Sequence, residues 1–104
     1  LHQTLKKPIV ITEFGADAYP GIHALEPEMF SEEYQTEFIK RYLDVADSKP
    51  FVAGTMVWAF ADFKTSQGTT RGAGMNFKGV FTRDRKPKMA AEYLRKRWRF
   101  NQPQ

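Results

Sequence analysis

Cysteine is absent from the sequence, which excludes disulfide bonds and thiolate zinc sites. No Asn-x-Ser/Thr sequon is present either, and this absence favours a bacterial cytoplasmic protein. No apolar run approaches the roughly 18 residues of a membrane span, so we expect no membrane partner. The sequence also has no metal-ligating cluster and no glycine-rich nucleotide-binding motif, so we expect no cofactor and no metal.

An initiator methionine and a signal peptide are also missing, since the sequence begins at Leu1 and leads into a predicted strand. We therefore expect an upstream part of the protein to precede this sequence. The 104 residues suffice for one domain with a modest core. Hydrophobic residues make up 41% and charged residues 27%, which is ordinary for a soluble globular protein and argues against a disordered chain.

Aromatic and basic residues are abundant. Nine Phe, four Tyr and two Trp indicate either a large core or a cleft for carbohydrate or aromatic ligands. The formal net charge is +4, and the positive residues concentrate in the last quarter. No nucleic-acid-reading motif accompanies them, so we expect a solvated helix face and no nucleic-acid partner. These residues are Arg83, Arg85, Lys86, Lys88, Arg95, Lys96, Arg97 and Arg99.

The stretch 8–15 organises the rest of the chain. Ile9, Val10 and Ile11 are consecutive β-branched residues, which predicts a strand buried on both faces. Glu13 follows at its C-terminal end, where a charge is costly unless it is paired or used. In barrels of parallel strands these ends carry the chemistry. Glu13 is therefore a candidate catalytic carboxylate, with a surface position at the start of a loop as the alternative.

Residues 31 to about 47 predict a helix, in which Ser31 caps the first turn and Pro50 follows the end. Apolar residues recur at helical spacing along one face, and we expect this face to pack into the core. They are Tyr34, Phe38, Ile39, Tyr42, Leu43 and Ala46.

A second strand, again buried on both faces, is predicted over 51–60, and a long loop over 62–78 follows it. Trp58 stands near the C-terminal end of this strand, on the same rim as Glu13, where it is either a sugar platform or a core residue. A final amphipathic helix is predicted from about Pro87, since proline fits an early helical position. Its apolar face comprises Ala90, Ala91, Tyr93, Leu94 and Trp98.

The predicted order is β-α-β-α, which implies parallel strands joined by a right-handed crossover. Two parallel strands alone leave two open sheet edges, so the architecture is incomplete as a free-standing domain. The same architecture is complete if it forms the last quarter of an eight-stranded barrel. We therefore predict an α/β fold in which residues 1–104 form the last two β/α units of a (β/α)8 TIM barrel, the C-terminal portion of a catalytic domain.

Several collinear segments are specific enough to name a family. The sequence resembles the C-terminal part of the catalytic barrel of β-glucuronidases, which belong to glycoside hydrolase family 2. The resemblance runs from about Pro8 to about Trp98. Matching segments are Ile11-Thr12-Glu13-Phe14-Gly15, Ser31-Glu32-Glu33-Tyr34-Gln35, Val57-Trp58-Ala59-Phe60-Ala61-Asp62-Phe63, Thr65-Ser66-Gln67-Gly68, Asn76-Phe77-Lys78 and Phe81-Thr82-Arg83-Asp84-Arg85-Lys86-Pro87-Lys88.

The resemblance implies that Glu13 is the catalytic nucleophile of a retaining glycosidase. Such enzymes need two carboxyl groups about 5–5.5 Å apart, one attacking the anomeric carbon and one acting as acid and then base. The family's acid/base Glu follows an Asn on an earlier barrel strand, and no Asn-Glu pair occurs in this sequence. We therefore expect the isolated 104-residue chain to be inactive.

The resemblance also implies substrate-binding residues. Asn76 and Lys78 correspond to the Asn-x-Lys pair that grips the C6 carboxylate of the sugar, and Phe77 stands where many relatives have Lys. Trp58 corresponds to the tryptophan under the sugar ring, and Arg71 adds to the anionic pocket in some relatives. Each has an alternative: Asn76 caps the following turn, Lys78 is a solvated loop lysine, and Arg71 lies on the surface.

Three functions follow from these residues. The first is retaining hydrolysis of β-D-glucuronides in carbohydrate metabolism, by a larger enzyme that contains the rest of the barrel and, as is common in the family, forms a homotetramer. The second is hydrolysis of galacturonides or another hexuronide. The third is an isolated non-catalytic fragment that acts only in carbohydrate binding or self-association.

His23, in the loop after Glu13, lines the pocket or sits in a turn, and we favour the turn.

Overall fold

The structure is a computed structural model that describes residues 6–65 and 74–100. The long elements follow the predicted β-α-β-α order, and a short antiparallel ribbon occurs where only a loop was predicted over 62–78. In chain order the elements are β1 (Ile9–Phe14), α1 (Glu32–Asp47), β2 (Val52–Val57), β3 (Phe63–Lys64), β4 (Met75–Asn76) and α2 (Met89–Phe100).

The strands β1 and β2 pair in parallel, as predicted. Ile11 lies opposite Thr55 and Phe14 lies opposite Val57, so β1 has one more residue than β2 between these pairs. This irregularity is a bulge that includes Glu13, and bulges interrupt the alternation of side chains between the two faces of a sheet. As a result Glu13 and the residue before it are both exposed.

The helix α1 begins and ends as predicted. The Ser31 hydroxyl caps it by accepting a hydrogen bond from the backbone N–H of Tyr34 at 3.1 Å. Glu32 and Glu33 occupy the first turn, where the helix dipole favours acidic side chains. These local signals explain why its bounds could be predicted.

The buried face of α1 matches the predicted apolar face in part, since Ile39, Leu43 and Ala46 are buried and the aromatic members are not. Tyr34 and Phe38 are half-buried and Tyr42 is exposed. They form a row of ring contacts beside the core, in which the Phe38 and Tyr42 centroids are 5.4 Å apart and Tyr42 stacks on Phe14 at 4.8 Å. The residues that α1 buries are Glu32, Gln35, Ile39, Leu43 and Ala46.

The core lies where both helices pack against the sheet. Ile11 and Val57 pack against its members, so these strand residues face the helices. The salt bridges of Arg97 with Asp44 and Asp47, at 2.7 and 2.6 Å, also join α2 to α1. The buried members of the core are Phe14, Ile39, Leu43, Val80, Ala90 and Leu94.

The prediction that both strands are buried on both faces is wrong for this chain. Val10 is 47% exposed, Met56 is 57% exposed and Phe60, just past β2, is 64% exposed. The reason is that successive strand residues point to opposite faces, and the described helices cover one face of a two-stranded sheet.

The second helix also departs from the prediction. It begins at Met89, so Pro87 lies before the helix and not in its first turn. Ala90 and Leu94 are buried as predicted, whereas Trp98 is exposed. Within the described ranges, neither helix is long and apolar enough to cross a membrane.

The basic residues of the last quarter do not form one solvated face. Lys88 is fully buried, and most of the Arg97 side chain is covered where it pairs with the acidic residues of α1. The prediction failed because the acidic partners lie far away in sequence, Asp62 for Lys88 and Asp44 for Arg97.

Candidate active site

Glu13 lies in the bulge near the C-terminal end of β1. Its side chain is exposed, and within residues 6–65 and 74–100 its carboxylate forms no hydrogen bond or ion pair. The next residue, Phe14, accepts a hydrogen bond from the N–H of Trp58 at 2.9 Å. This bond places the C-terminal ends of β1 and β2 side by side, so Glu13 and Trp58 occupy the same rim of the sheet.

Gly15 allows the chain after β1 to approach Trp58 closely. A Cβ atom built on Gly15 would collide with the backbone carbonyl oxygen of Trp58, and side-chain rearrangement cannot relieve a clash with backbone. The peptide bond between Trp58 and Ala59 is cis. Trp58 is 41% exposed, and its ring meets Phe63 edge-on, with centroids 6.0 Å apart. Among the described residues, Trp58 is therefore partly open at the rim.

Residues 76–79 pack between the two strand ends. Lys78 accepts a hydrogen bond through its carbonyl oxygen from the N–H of Ala59 at 2.9 Å. On the other side, the N–H of Ala18, in the loop after β1, donates to the carbonyl oxygen of Phe77 at 2.9 Å. These bonds bring Asn76 and Lys78 to the end of the sheet that carries Glu13 and Trp58.

Asn76 is 5% exposed, and its side-chain oxygen accepts a hydrogen bond from the backbone N–H of Lys78 at 2.9 Å. The predicted alternative, that Asn76 caps a turn, therefore holds for its side-chain oxygen. This bond also fixes the orientation of the carboxamide, whose Nδ2 group is the only part that can donate to a carboxylate. The Lys78 side chain is half-buried and forms no ion pair with a described residue.

Two other candidates complete the sequence prediction. Arg71 lies outside the described residues. His23 is exposed, and its Nδ1 atom lies 2.7 Å from a carboxylate oxygen of Glu33. The hydrogen bond with Glu33 raises the pKa of His23. For Glu33, burial raises the pKa, but the hydrogen bonds from His23 and from the Ala24 N–H outweigh burial and lower it. His23 thus contributes to a surface ion pair.

A buried ion pair that the sequence did not predict lies beneath these residues. Lys88 Nζ is 2.9 Å from Asp62 Oδ1, and both side chains are 1% exposed. Burial raises the pKa of Asp62 and lowers the pKa of Lys88, and their mutual attraction opposes both shifts. A buried ion pair of this kind commonly adds little net stability, because removing two charges from water costs about as much as pairing them gains. The pair is a structural element whose loss on one side would leave an unpaired buried charge.

Two buried polar residues of α1 tie the loops to the helices. Gln35 donates from Nε2 to the carbonyl oxygens of Gly79 at 2.9 Å and Ala16 at 3.2 Å. Glu32 accepts hydrogen bonds from the N–H groups of Gly21 at 2.7 Å and Met89 at 2.8 Å. Ile39 lies on the predicted packing face, and Gln35 lies one helical turn before it; this spacing was the signal that could have identified Gln35 as buried.

The arrangement can support nucleophilic and carboxylate-binding chemistry. It combines an exposed carboxylate, an open aromatic ring, and an amide and an ammonium group that can donate to an anion. Among the described residues, no group of three or more His, Cys, Asp or Glu side chains is placed to hold a metal ion.

Comparison with known proteins identifies the family. Residues 1–102 match the model of the TIM barrel domain of the glycosyl hydrolases family 2. A β-glucuronidase of Paenibacillus borealis is 56% identical over 97 residues, which are 93% of this chain and 16% of that protein.

Solved structures agree with the sequence comparison. The β-D-glucuronidase of Dictyoglomus thermophilum has a TM-score of 0.91 and 51% identity, over 98% of this chain and 17% of that one. A Ruminococcus gnavus β-glucuronidase solved in complex with D-glucuronic acid has a TM-score of 0.86 and 50% identity, over 92% of this chain and 17% of that one. The chain thus spans about one sixth of the length of these relatives, and it belongs to the TIM barrel domain family of the family 2 glycosyl hydrolases.

Proposed function

We propose that the chain supplies the nucleophile and the carboxylate-binding residues of a retaining β-glucuronidase. The observation that carries this proposal is the position of residues 76–79, which are hydrogen-bonded to Ala59 and Ala18 at the rim that carries Glu13. A donor pair suited to a sugar carboxylate therefore lies at the same end of the sheet as a solvent-accessible carboxylate. The identity to β-glucuronidases over nearly the whole chain supports the same assignment.

In the proposed reaction the Glu13 carboxylate attacks the anomeric carbon while the bond from that carbon to the leaving-group oxygen breaks. A second carboxyl group protonates the leaving oxygen. A water molecule then attacks the glycosyl ester on Glu13, gives its proton to the second carboxylate and releases the sugar with retained configuration. We propose that this second carboxyl group comes from the part of the protein that corresponds to the remainder of the relatives, so the 104-residue chain alone is inactive.

Substrate selection in this proposal depends on the charge at C6 of the sugar. Asn76 Nδ2 and the Lys78 ammonium donate to the substrate carboxylate, and a hydrogen bond to a charged group contributes roughly 1.5–3 kcal/mol. The open face of Trp58 lies under the sugar ring. Arg71 remains a candidate for the same anionic pocket. A 50% identical relative binds D-glucuronic acid in a solved complex, which supports this substrate class.

The architecture of the chain fits a part of a larger barrel. We propose that its two parallel strands, each followed by a helix, are the last two β/α units of a (β/α)8 barrel. The exposed apolar residues Val10 and Met56 would then be covered by neighbouring parts of that barrel. A homo-oligomeric state, which the resemblance to the family implies, is part of the same proposal.

Kinetics of the full-length protein on paired substrates test the proposal. We expect an aryl β-glucuronide to be hydrolysed far faster than the matching glucoside and galacturonide. Lys78→Ala should lower kcat/KM for the glucuronide by about 10- to 150-fold, the equivalent of one charge-assisted hydrogen bond, and should change the glucoside little. Lys96→Ala, at an exposed position on α2, is the matched control.

Two results would contradict the proposal. A wild-type protein that hydrolyses the glucoside or the galacturonide as well as the glucuronide would show that the site does not select glucuronides. Equal losses on glucuronide and glucoside in Lys78→Ala would show that Lys78 does not bind the carboxylate.

A further inference from the structure

The backbone of Phe77, between the two proposed carboxylate-binding residues, is held by ionic side chains at both its N–H and its carbonyl group. The N–H donates to the Asp17 carboxylate at 3.0 Å. The carbonyl oxygen accepts from the Lys88 ammonium at 3.1 Å. Both hydrogen bonds involve an ionised side chain, which makes them stronger than bonds between neutral groups.

Lys88 is the centre of this arrangement. Besides Phe77, its ammonium donates to the carbonyl oxygen of Ala18 at 2.7 Å and to Asp62 at 2.9 Å. An ammonium group has three donors, and here each has an acceptor. The three acceptors come from the loop after β1, the chain after β2, and the segment that follows β4. A single buried side chain therefore joins all three loops, alongside the backbone hydrogen bond from the Ala18 N–H to the Phe77 carbonyl oxygen.

Asp62 extends the same contacts to the other side of Lys78. Its Oδ1 atom accepts the N–H of Gly79 at 3.0 Å. The backbone on both sides of Lys78 is thereby tied to one buried ion pair, through the Phe77 carbonyl and the Gly79 N–H. A buried ion pair commonly adds little net stability compared with an apolar pair of similar volume, so stability alone does not explain it.

We propose that Lys88 and Asp17 are positioning residues for recognition of the substrate carboxylate. They fix the backbone on both sides of Phe77, and the position of this backbone sets where the Asn76 amide and the Lys78 ammonium point. Neither residue touches the substrate. The inference rests on the proposed function, because it concerns the site that the proposed function assigns to the carboxylate.

A positioning role changes the preference between substrates, whereas a general loss of structure lowers the activity on all of them. A neutral glycoside with the same leaving group uses the nucleophile but not the carboxylate-binding pair. Displacing residues 76–78 should therefore impair the glucuronide selectively, chiefly through KM. The readout is the ratio of kcat/KM for an aryl glucuronide to kcat/KM for the matching glucoside, which we call the preference ratio.

The experiment compares variants of the full-length protein. Lys88→Met should lower the preference ratio by about tenfold or more, as expected for the loss of one well-placed charged hydrogen bond. Lys86→Met, at an exposed lysine two positions earlier, should leave the ratio unchanged and is the control.

A second pair of variants keeps the test decisive if Lys88→Met does not fold, since that change leaves Asp62 buried without its partner. Asp17 is less buried than Lys88, and it accepts the hydrogen bond from the backbone N–H of Phe77. Asp17→Ala should lower the preference ratio. Asp17→Asn, which keeps an oxygen acceptor for the Phe77 N–H, should retain most of it.

A third comparison tests whether the effect runs through the proposed carboxylate contact. In a Lys78→Ala background, Asp17→Ala and Lys88→Met should cause a smaller further change in the preference ratio than in the wild-type background, because only the Asn76 contact is left to position. Equal losses on glucuronide and glucoside, or full additivity with Lys78→Ala, would overturn the positioning role. A wild-type protein without preference for the glucuronide would instead overturn the proposed function itself.

Discussion

The C-terminal end of the sheet and the body of the sheet differ in how many of their groups find partners within this chain. At the C-terminal ends of the strands, the main-chain groups of residues 77–79 are bonded to side chains from four separate parts of the chain, Asp17, Gln35, Asp62 and Lys88. The body of the sheet is different, because apolar side chains such as Met56 stand open to solvent.

This difference indicates which properties are local to the chain and which depend on its surroundings. The loops that carry the candidate site are positioned by contacts within the described residues. The sheet formed by β1 and β2 has two strands, and apolar side chains on one of its faces are not buried. Fully burying one large apolar side chain stabilises a protein by roughly 1.5–3 kcal/mol, so this contribution is missing from the sheet. We infer that this chain itself determines the geometry of the candidate site, whereas the stability of the sheet requires the rest of the proposed barrel.

The largest effect on stability should follow from adding one carbon to the loop region. A Cβ atom at Gly79 would collide with the backbone of Ala61 and Asp62. Gly79→Ala should therefore lower the free energy of unfolding of the full-length protein by about 3 kcal/mol or more, the upper range for overpacking. Thermal and denaturant unfolding measure this loss.

Gly54→Ala is the matched control in the sheet, because the only described atom that a Cβ there would meet is Val10 Cγ1, at an ordinary 3.9 Å. We expect a change of less than about 1 kcal/mol. An equal loss in both variants would mean that the sheet is packed as tightly as the loops, and the contrast between the two regions would fail.

A smaller effect should follow from placing a polar side chain on the open face of the sheet. Val10 is 47% exposed here, and the proposed barrel covers it in the full-length protein. Val10→Asn should therefore lower the free energy of unfolding of the full-length protein by about 1–3 kcal/mol, because the change buries an unsatisfied amide. Denaturant unfolding measures this loss. A full-length protein that tolerates the change would show that this face stays open.

The smallest effect concerns the surface ion pair of His23. Because the pKa of His23 is raised in the folded protein, the pair stabilises fully below the ordinary His pKa of 6.5 and loses this contribution as pH rises through the raised value. The lowered pKa of Glu33 confines the full contribution to pH above its ordinary 4.5. His23→Gln should therefore destabilise slightly between about pH 4.5 and 6.5, and the difference should disappear as pH rises through the raised pKa of His23. A pH-independent difference would contradict the ion pair.

Sequence patterns predicted the features that depend on near neighbours. The Ser31 cap and Pro50 are local signals, and they gave the bounds of α1. The parallel pairing of β1 and β2 follows from the helix between them. The bulge at Glu13 could not be predicted in this way, because it depends on the register against the partner strand.

Long-range contacts account for what the sequence did not predict. Lys88 is buried against partners that are distant in sequence. Asp62 is 26 positions away, and Ala18, whose carbonyl oxygen accepts from Lys88, is 70 positions away. Nothing in the composition near Lys88 distinguishes it from the exposed Lys86. Of the candidate site, Asn76 and Lys78 were found only through the resemblance to β-glucuronidases, and Asp17 was not singled out at all.

The measurement that tests the central claim most directly is covalent trapping of the glycosyl-enzyme intermediate. A slow, mechanism-based substrate such as a 2-deoxy-2-fluoro glucuronide would be incubated with the full-length protein, and the labelled peptide would be identified by mass spectrometry. We expect one sugar adduct, located on Glu13, and no adduct in Glu13→Gln, with Glu26→Gln as the labelled control. An adduct on another carboxylate, or a product of inverted anomeric configuration without any adduct, would contradict the assignment of Glu13 as the nucleophile.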